Sequence, residues 1–313
     1  MIKLIDSGLR SIIVDSGRRG VQCDGFCQSG PMDDEAYWWG NYMVGNRPST
    51  PQLEVIGAVT LSIEKAGIVS VTGRGVVAKV NDKLVDTWQP IAVDEGDTLK
   101  FESSPLGTRS YLAVNGIWNV PSAIGSACTV TRESLGGLRG DGSPLQPDDR
   151  IDIKSSTLNI TAHVEAESIS PNYSLSTPID VILGYQHAAF SGGSQRTFFN
   201  STYTVSNNID RMGYRLSGPS VVSSLKNLRS EGINLGDIQC PPDGQPIVMM
   251  RDRQTLGGYP KIGTVAAYDI GRLAQSVPGE TVTFRQIDMN NARAKYLLHL
   301  AKRKNLIGEF GCL

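Results

Sequence analysis

Histidine is scarce in this chain: three in 313 residues, at positions 163, 187 and 299, in unrelated contexts. A triad built on imidazole therefore has little to draw on. No Walker loop, zinc-protease helix word or nucleophile elbow occurs, and Gly73-Arg74-Gly75 lacks the third glycine and following helix of a dinucleotide fingerprint. No Ala-Met-Lys-Met word for biotin attachment is present. The five cysteines (23, 27, 128, 240 and 312) are odd in number and scattered, which suits reduced thiols in the cytoplasm. Cys23 and Cys27 have no second Cys or His pair to complete a zinc site, so no metal is expected. No apolar run reaches the roughly 18 residues that would cross a membrane. The opening Met1-Ile2-Lys3-Leu4-Ile5-Asp6 turns polar at once, unlike a secretion signal. Thirty basic residues balance 31 acidic ones, a net charge of -1 that argues against a nucleic-acid-binding surface.

What the chain does have is turns. Its 34 glycines and 16 prolines punctuate a sequence that is 40% apolar. One word recurs, an acidic or glycine turn followed by a short alternating strand. It appears as Glu95-Gly96-Asp97-Thr98-Leu99-Lys100-Phe101, as Asp148-Asp149-Arg150-Ile151-Asp152-Ile153 and as Gly279-Glu280-Thr281-Val282-Thr283-Phe284. Period-two patterning after a turn marks half-buried strands. Many such strands without βαβ spacing predict a mainly β protein with closed or sandwiched sheets and few short helices. The length calls for two domains or one large one. The Ser/Thr/Asn/Pro-rich stretch 155–178 is read as a linker, giving an N-terminal β domain over 1–160 and a C-terminal β-barrel domain over 178–313. Two helices stand out. One follows Ser29-Gly30-Pro31, with Asp33, Asp34 and Glu35 in its first turn and a stripe of Ala36, Trp39 and Met43. On it Trp38 and Tyr42 should point away from Trp39 and Met43. The other starts near Asp288 and carries Ala292, Tyr296, Leu297 and Leu300 as its apolar stripe.

Candidate chemistry concentrates in two words, Asp210 to Leu216 and Gly244 to Pro260. Read as strands, the first places Arg211 and Arg215 on one face beside Gly213, a two-guanidinium anion site. The second places Asp252 and Gln254 on one face, followed by Thr255 and the Gly257-Gly258 turn, with Gln245 and Tyr259 close by in sequence. The competing reading is a buried ion-pair network. Elsewhere, Asp33 reads as a general base or a helix cap. Arg18, within Asp15-Ser16-Gly17-Arg18-Arg19-Gly20, either clamps an anion or pairs with Asp15. Glu54 is an acid in an apolar strand, where burial raises its pKa unless it is paired. His187, after Gly184-Tyr185-Gln186, reads as an ordinary polar loop residue or, second, as a donor to a ligand.

These words resemble the family of carboxyltransferase-like proteins that includes the C subunit of 5-oxoprolinase, KipA and allophanate hydrolase subunit 2. The resemblance runs through Asp15–Gly20, Ser29–Asp33, Gly45-Asn46, Leu53-Glu54, Arg109–Val114, Gly125-Ser126, Asp210–Leu216, Ile238-Gln239 to Pro260, and Pro278-Gly279. It departs at Val14, at Asn115–Trp118 and at Gly184-Tyr185-Gln186. The resemblance implies two cyclophilin-like β-barrel-type domains. It further implies a subunit of an ATP-dependent enzyme that opens the 5-oxoproline lactam to glutamate. Its partners on that reading are an A-type and a KipI-like, B-type subunit, with ATP and Mg shared among them. Arg211 and Arg215 would then bind anions, Asp252 would move a proton or hold Mg, and Gln245, Gln254, Thr255 and Tyr259 would bind substrate, with Arg18, Asp33 and Glu54 as further contacts. Two alternatives accompany it. One is the carboxyltransferase component of a biotin-dependent urea or amide carboxylase, with biotin on a separate polypeptide. The other is a non-enzymatic antagonist that binds a KipI-like partner and so regulates a sensor kinase.

Overall fold

The computed structural model describes residues 2–154, 166–225 and 228–310. The proposed linker's residues 155–165 lie outside them. The chain divides into two compact units, one of Met1–Arg19, Ser29–Asn172 and Asn305–Leu313, the other of Gly20–Gln28 and Tyr173–Lys304. Segment Gly20–Gln28 thus clusters with the later half of the chain, a crossing that no local pattern announces. Both units are mainly β.

In the first unit a six-stranded sheet runs in the order Arg150–Ile151, Ile2–Asp6, Ala58–Ile63, Thr98–Glu102, Val77–Val80, Lys83–Val85. A five-stranded sheet runs Arg10–Val14, Gln52–Ile56, Ser110–Val114, Gly67–Gly73, Ile91–Val93. Alternation explains why they share one core: Leu4, Leu61, Leu99 and Phe101 from the first and Ile13, Leu53, Val71 and Leu112 from the second belong to a single buried cluster. The turn-strand words behave as read, with Leu99 and Phe101 buried between exposed Lys100 and Glu102. Helix Asp34–Met43 starts because the Asp33 carboxylate accepts the Glu35 and Ala36 amides at 3.2 Å each, and acidic Asp34 and Glu35 favour the positive helix end. It stops at Val44, before Gly45 at φ 71°. Ala36, Trp39 and Met43 are buried, whereas Trp38 and Tyr42 are half-buried and stacked at 5.3 Å.

The second unit is built on an eight-stranded sheet in the order Thr281–Val282, Tyr203–Ile209, Gly213–Ser217, Ile247–Met249, Asp237–Gln239, Lys261–Val265, Ile179–Leu183, Phe284–Ile287. Its two edge strands are consecutive in sequence, with only Thr283 between them. The sheet therefore nearly closes on itself as a barrel, which leaves little exposed edge. Every pairing is antiparallel except that of Ile179–Leu183 with Phe284–Ile287.

The last helix, Met289–Phe310, corrects one expectation. Asp288 caps it, its carboxylate accepting the Asn290 and Asn291 amides at 3.0 Å each. Of the expected stripe only Ala292 is buried; Tyr296, Leu297 and Leu300 are exposed. The reason is that the helix is held through charge: Lys295 Nζ lies 2.6 Å from Asp180, which also accepts from Tyr268 at 2.8 Å and Arg285 at 2.8 Å.

Candidate functional site

A pocket of about 490 Å³ opens on one face of the barrel sheet. Its floor follows from register. Gly213 pairs with Met249, Arg215 with Ile247, and Ile247 in turn with Gln239, so residues of three neighbouring strands share one face. Gln254 and Tyr259 complete the wall from the loop that follows. Gly213 supplies room, because a side chain there would press within 3.1 Å of Ile247 Cγ2 and 3.3 Å of the Val248 carbonyl.

Polar side chains supply much of the lining, Asn207, Asn208 and Asp210 as well as Arg215, Gln239, Gln254 and Tyr259. The Arg215 guanidinium reaches Asp243 at 2.8 Å through Nη1 and is 36% exposed. Gln239 is 2% exposed, yet its Nε2 has no hydrogen-bond partner among the described residues. Gln254 likewise makes no side-chain hydrogen bond to a described residue. Both amides crowd against Gly257: a Cβ at that position would stand 3.0 Å from Gln239 Nε2, 3.5 Å from Gln254 Nε2 and 2.5 Å from Ile233 Cδ1. Only glycine lets the chain pass there.

The expected anion pair does not form. Arg211 lies before the Gly213–Ser217 strand, so period-two alternation does not carry it to the face of Arg215. Instead Arg211 grips Asp252 through two bonds, Nε–Oδ2 at 2.7 Å and Nη2–Oδ1 at 2.9 Å, with both residues 5% exposed. Asp252 sits in a turn after the Ile247–Met249 strand, which removes the shared face expected for it and Gln254. Neither Arg211 nor Asp252 lines the pocket. Gln245 is also engaged elsewhere, its carboxamide accepting the Gly218 N–H at 2.9 Å and donating to the Gly218 carbonyl at 3.1 Å. Thr255 accepts the Ile233 amide through its carbonyl at 3.0 Å. The pocket thus gathers Arg215, Gln254 and Tyr259 from the expected set and adds Gln239. Sequence reading gave Gln239 no role, since its burial at the end of the Asp237–Gln239 strand shows only in the fold.

The three candidates of the first unit are each engaged by hydrogen bonds within the fold. Asp33 caps its helix as described. Glu54, 2% exposed, accepts the Met32 amide at 2.9 Å and the Tyr111 hydroxyl at 2.8 Å, with Arg109 Nε 3.4 Å away. Burial, with the Glu54 and Asp33 charges nearby, pushes the Tyr111 phenol well above its ordinary value and keeps it a neutral donor. Arg18, 1% exposed, donates to the carbonyls of Ala123 at 3.2 Å and Cys128 at 2.9 Å. Asp15 is held instead by the Ser126 hydroxyl and the Ala127 amide, each at 2.6 Å, and by the Gly17 amide at 2.9 Å. His187 Nδ1 lies 2.8 Å from the Gly184 carbonyl, the local turn contact expected of a loop residue.

Among the described residues no three metal-ligating side chains gather. Among the described lining residues the one cation, Arg215, is shared with Asp243, a set that does not fit a magnesium nucleotide. Beside Asn207, Asn208 and Asp210 it presents the carboxamides of Gln239 and Gln254, a phenol and a guanidinium over apolar Ile247 and Met249.

Two β units, one a nearly closed barrel with an amide-lined pocket, define the class. The chain belongs to the carboxyltransferase domain, subdomain A and B family, whose model matches residues 24–286. It is 34% identical over 294 residues to the 5-oxoprolinase C subunit of Escherichia coli, covering 93% of each chain. It is 33% identical over 314 residues to the corresponding C subunit of Haemophilus influenzae, covering 99% of each. The crystal structure of the K. lactis urea amidolyase superimposes with a TM-score of 0.87 at 26% identity, covering 97% of this chain but 20% of that one.

Proposed function

We propose that this chain is the C subunit of an ATP-dependent 5-oxoprolinase, working in the cytoplasm with an A-type partner and a KipI-like, B-type partner. The observation that carries the reading is coverage. The chain matches the 5-oxoprolinase C subunits end to end, 93% and 99% of their length, whereas it corresponds to one fifth of urea amidolyase. The reaction hydrolyses the ring C–N bond of 5-oxoproline: water adds to the carbonyl carbon and the nitrogen leaves as the amine of glutamate. An unactivated amide resists this, and ATP supplies the driving force by phosphorylating the carbonyl oxygen. On this reading ATP and Mg are shared with the partner subunits, and the pocket described here takes the lactam rather than the nucleotide. This chain's part is to bind and orient the lactam, with Arg215 as the counter-charge for its carboxylate.

A second reading, carboxyl transfer to urea or another amide, is favoured by the fit to urea amidolyase. Biotin on another polypeptide would supply the carboxyl group, and the carboxamides of Gln239 and Gln254 would hold its ureido edge. Product identity separates the two. Co-expressed with its A-type and B-type partners, the chain should release glutamate and phosphate from 5-oxoproline and ATP. Failure of that complex, together with carboxylation of urea once biotin carboxylase and carrier domains are added, would establish the second reading instead.

A further inference from the structure

We infer that the carboxamide of Gln239, supported by Gln254, reads the cis-amide edge of the substrate. The pocket on this view selects small cyclic amides that carry a carboxylate. The inference rests on the lactam-opening reading for its substrate but not for its geometry.

A lactam ring forces its amide to be cis, so N–H and C=O point from the same edge. A primary carboxamide presents the complementary edge, C=O beside N–H. The two pair through two parallel hydrogen bonds, the lactam donating its N–H to one and accepting at its C=O in the other. An open-chain trans amide presents only one of these groups per edge.

Gln239 is built for the same task and lacks the partner. Burying an amide donor without a hydrogen bond is unfavourable, so an unpaired Nε2 on a residue 2% exposed marks a place where a ligand completes the pattern. The sheet aims it there. Register with the Lys261–Val265 strand slips by one residue between Ile238 and Gln239, an irregularity of the kind that redirects a side chain. Behind it Lys261 locks the strand: its ammonium lies 3.0 Å from Glu231 and 3.4 Å from Asp237 and donates to the Gly232 carbonyl at 2.8 Å. Gly257 lets Gln254 approach the same spot. Two strands across, roughly 10 Å between backbones, Arg215 stands on the same face with apolar Ile247 between. That spacing lets two long side chains converge on a five-membered ring, the amide edge toward Gln239 and the carboxylate toward Arg215.

The test uses calorimetric titration of the full-length chain with three probes: 5-oxoproline, 2-pyrrolidinone (the ring amide without a carboxylate) and 2-imidazolidinone (a cyclic urea). Gln239→Glu replaces the donor by an anion, and Gln254→Glu does so at a half-exposed position that tolerates charge. Each should weaken 5-oxoproline binding by about tenfold or more. In the assembled enzyme the loss should fall on KM more than on kcat. Arg215→Met should reduce 5-oxoproline to the affinity of 2-pyrrolidinone. A purely structural Gln239 would lower Tm without changing selectivity among the probes, and that result overturns the inference. So does a wild-type chain that binds none of the three, or unchanged 5-oxoproline binding in both glutamate variants. A chain that binds 2-imidazolidinone in preference to 5-oxoproline, with sensitivity to Gln239→Glu, upholds the amide-edge clamp while removing the lactam-opening reading.

Discussion

Removing the Asp252 carboxylate distinguishes a structural ion pair from a catalytic acid. In the native chain Arg211 and Asp252 make two charge-assisted bonds at 2.7 and 2.9 Å, and their side chains are 5% and 7% exposed. Asp252→Ala removes the carboxylate that faces a desolvated guanidinium, which costs about 3–5 kcal/mol. At roughly 2–4 °C per kcal/mol for a chain of this size, Tm should fall by about 6–20 °C. The double variant Arg211→Met/Asp252→Leu removes both charges and keeps apolar volume, so it should recover to within about 2 kcal/mol of wild type. Differential scanning calorimetry supplies the stabilities, and glutamate release by the assembled complex supplies the activity. Turnover should track the folded fraction in all three proteins. A single variant with wild-type Tm and no turnover, or a stable double variant that stays inactive, would refute the structural assignment and return Asp252 to the chemistry.

Three further outcomes follow from groups outside that pair. Asp180 is raised by burial but lowered further by bonds from Lys295, Tyr268 and Arg285, so its folded pKa lies below the usual carboxylate value. Its stabilisation is therefore complete above the unfolded pKa near 4 and fades as pH falls through the folded value. Hydrogen exchange of helix Met289–Phe310 should accelerate in that acid range, and Asp180→Asn should accelerate it at neutral pH. Burial, with Asp243 adding to it, pushes the Cys240 thiol up to about 12. Iodoacetamide at pH 8 should thus label exposed Cys23 and spare Cys240. Trp38, half-buried and stacked on Tyr42, is the aromatic surface expected to meet the KipI-like partner. Trp38→Ala should reduce co-purification of that partner while leaving Tm within a few degrees, and unchanged recovery would remove this helix from the interface.

Local rules carried the elements well and the pairings poorly. Asp33 declared its helix because the cap and the acidic first turn are adjacent residues. The strand words were legible because Leu99, Phe101, Val282 and Phe284 alternate into the core. Closure of the barrel was not, since it depends on residues 281–287 reaching both edges of one sheet. The Arg211–Asp252 pair joins groups 41 residues apart, so sequence left an ion-pair network and a binding site as competing readings, and only the fold displays which groups meet. The last helix misled because its apolar stripe is real in sequence, yet an ion pair from Lys295 holds it and leaves Tyr296 and Leu297 exposed. Gln239 was invisible for the converse reason: its meaning lies in a missing partner, which only the folded arrangement displays.

The most direct test of the account is an omission experiment on the reconstituted enzyme. The A-type and B-type partners with ATP and 5-oxoproline should release no glutamate until this chain is added, and the rate should then rise with its concentration to a stoichiometric plateau. Glutamate formed at the same rate without the chain, or none formed with all three proteins present, would contradict it.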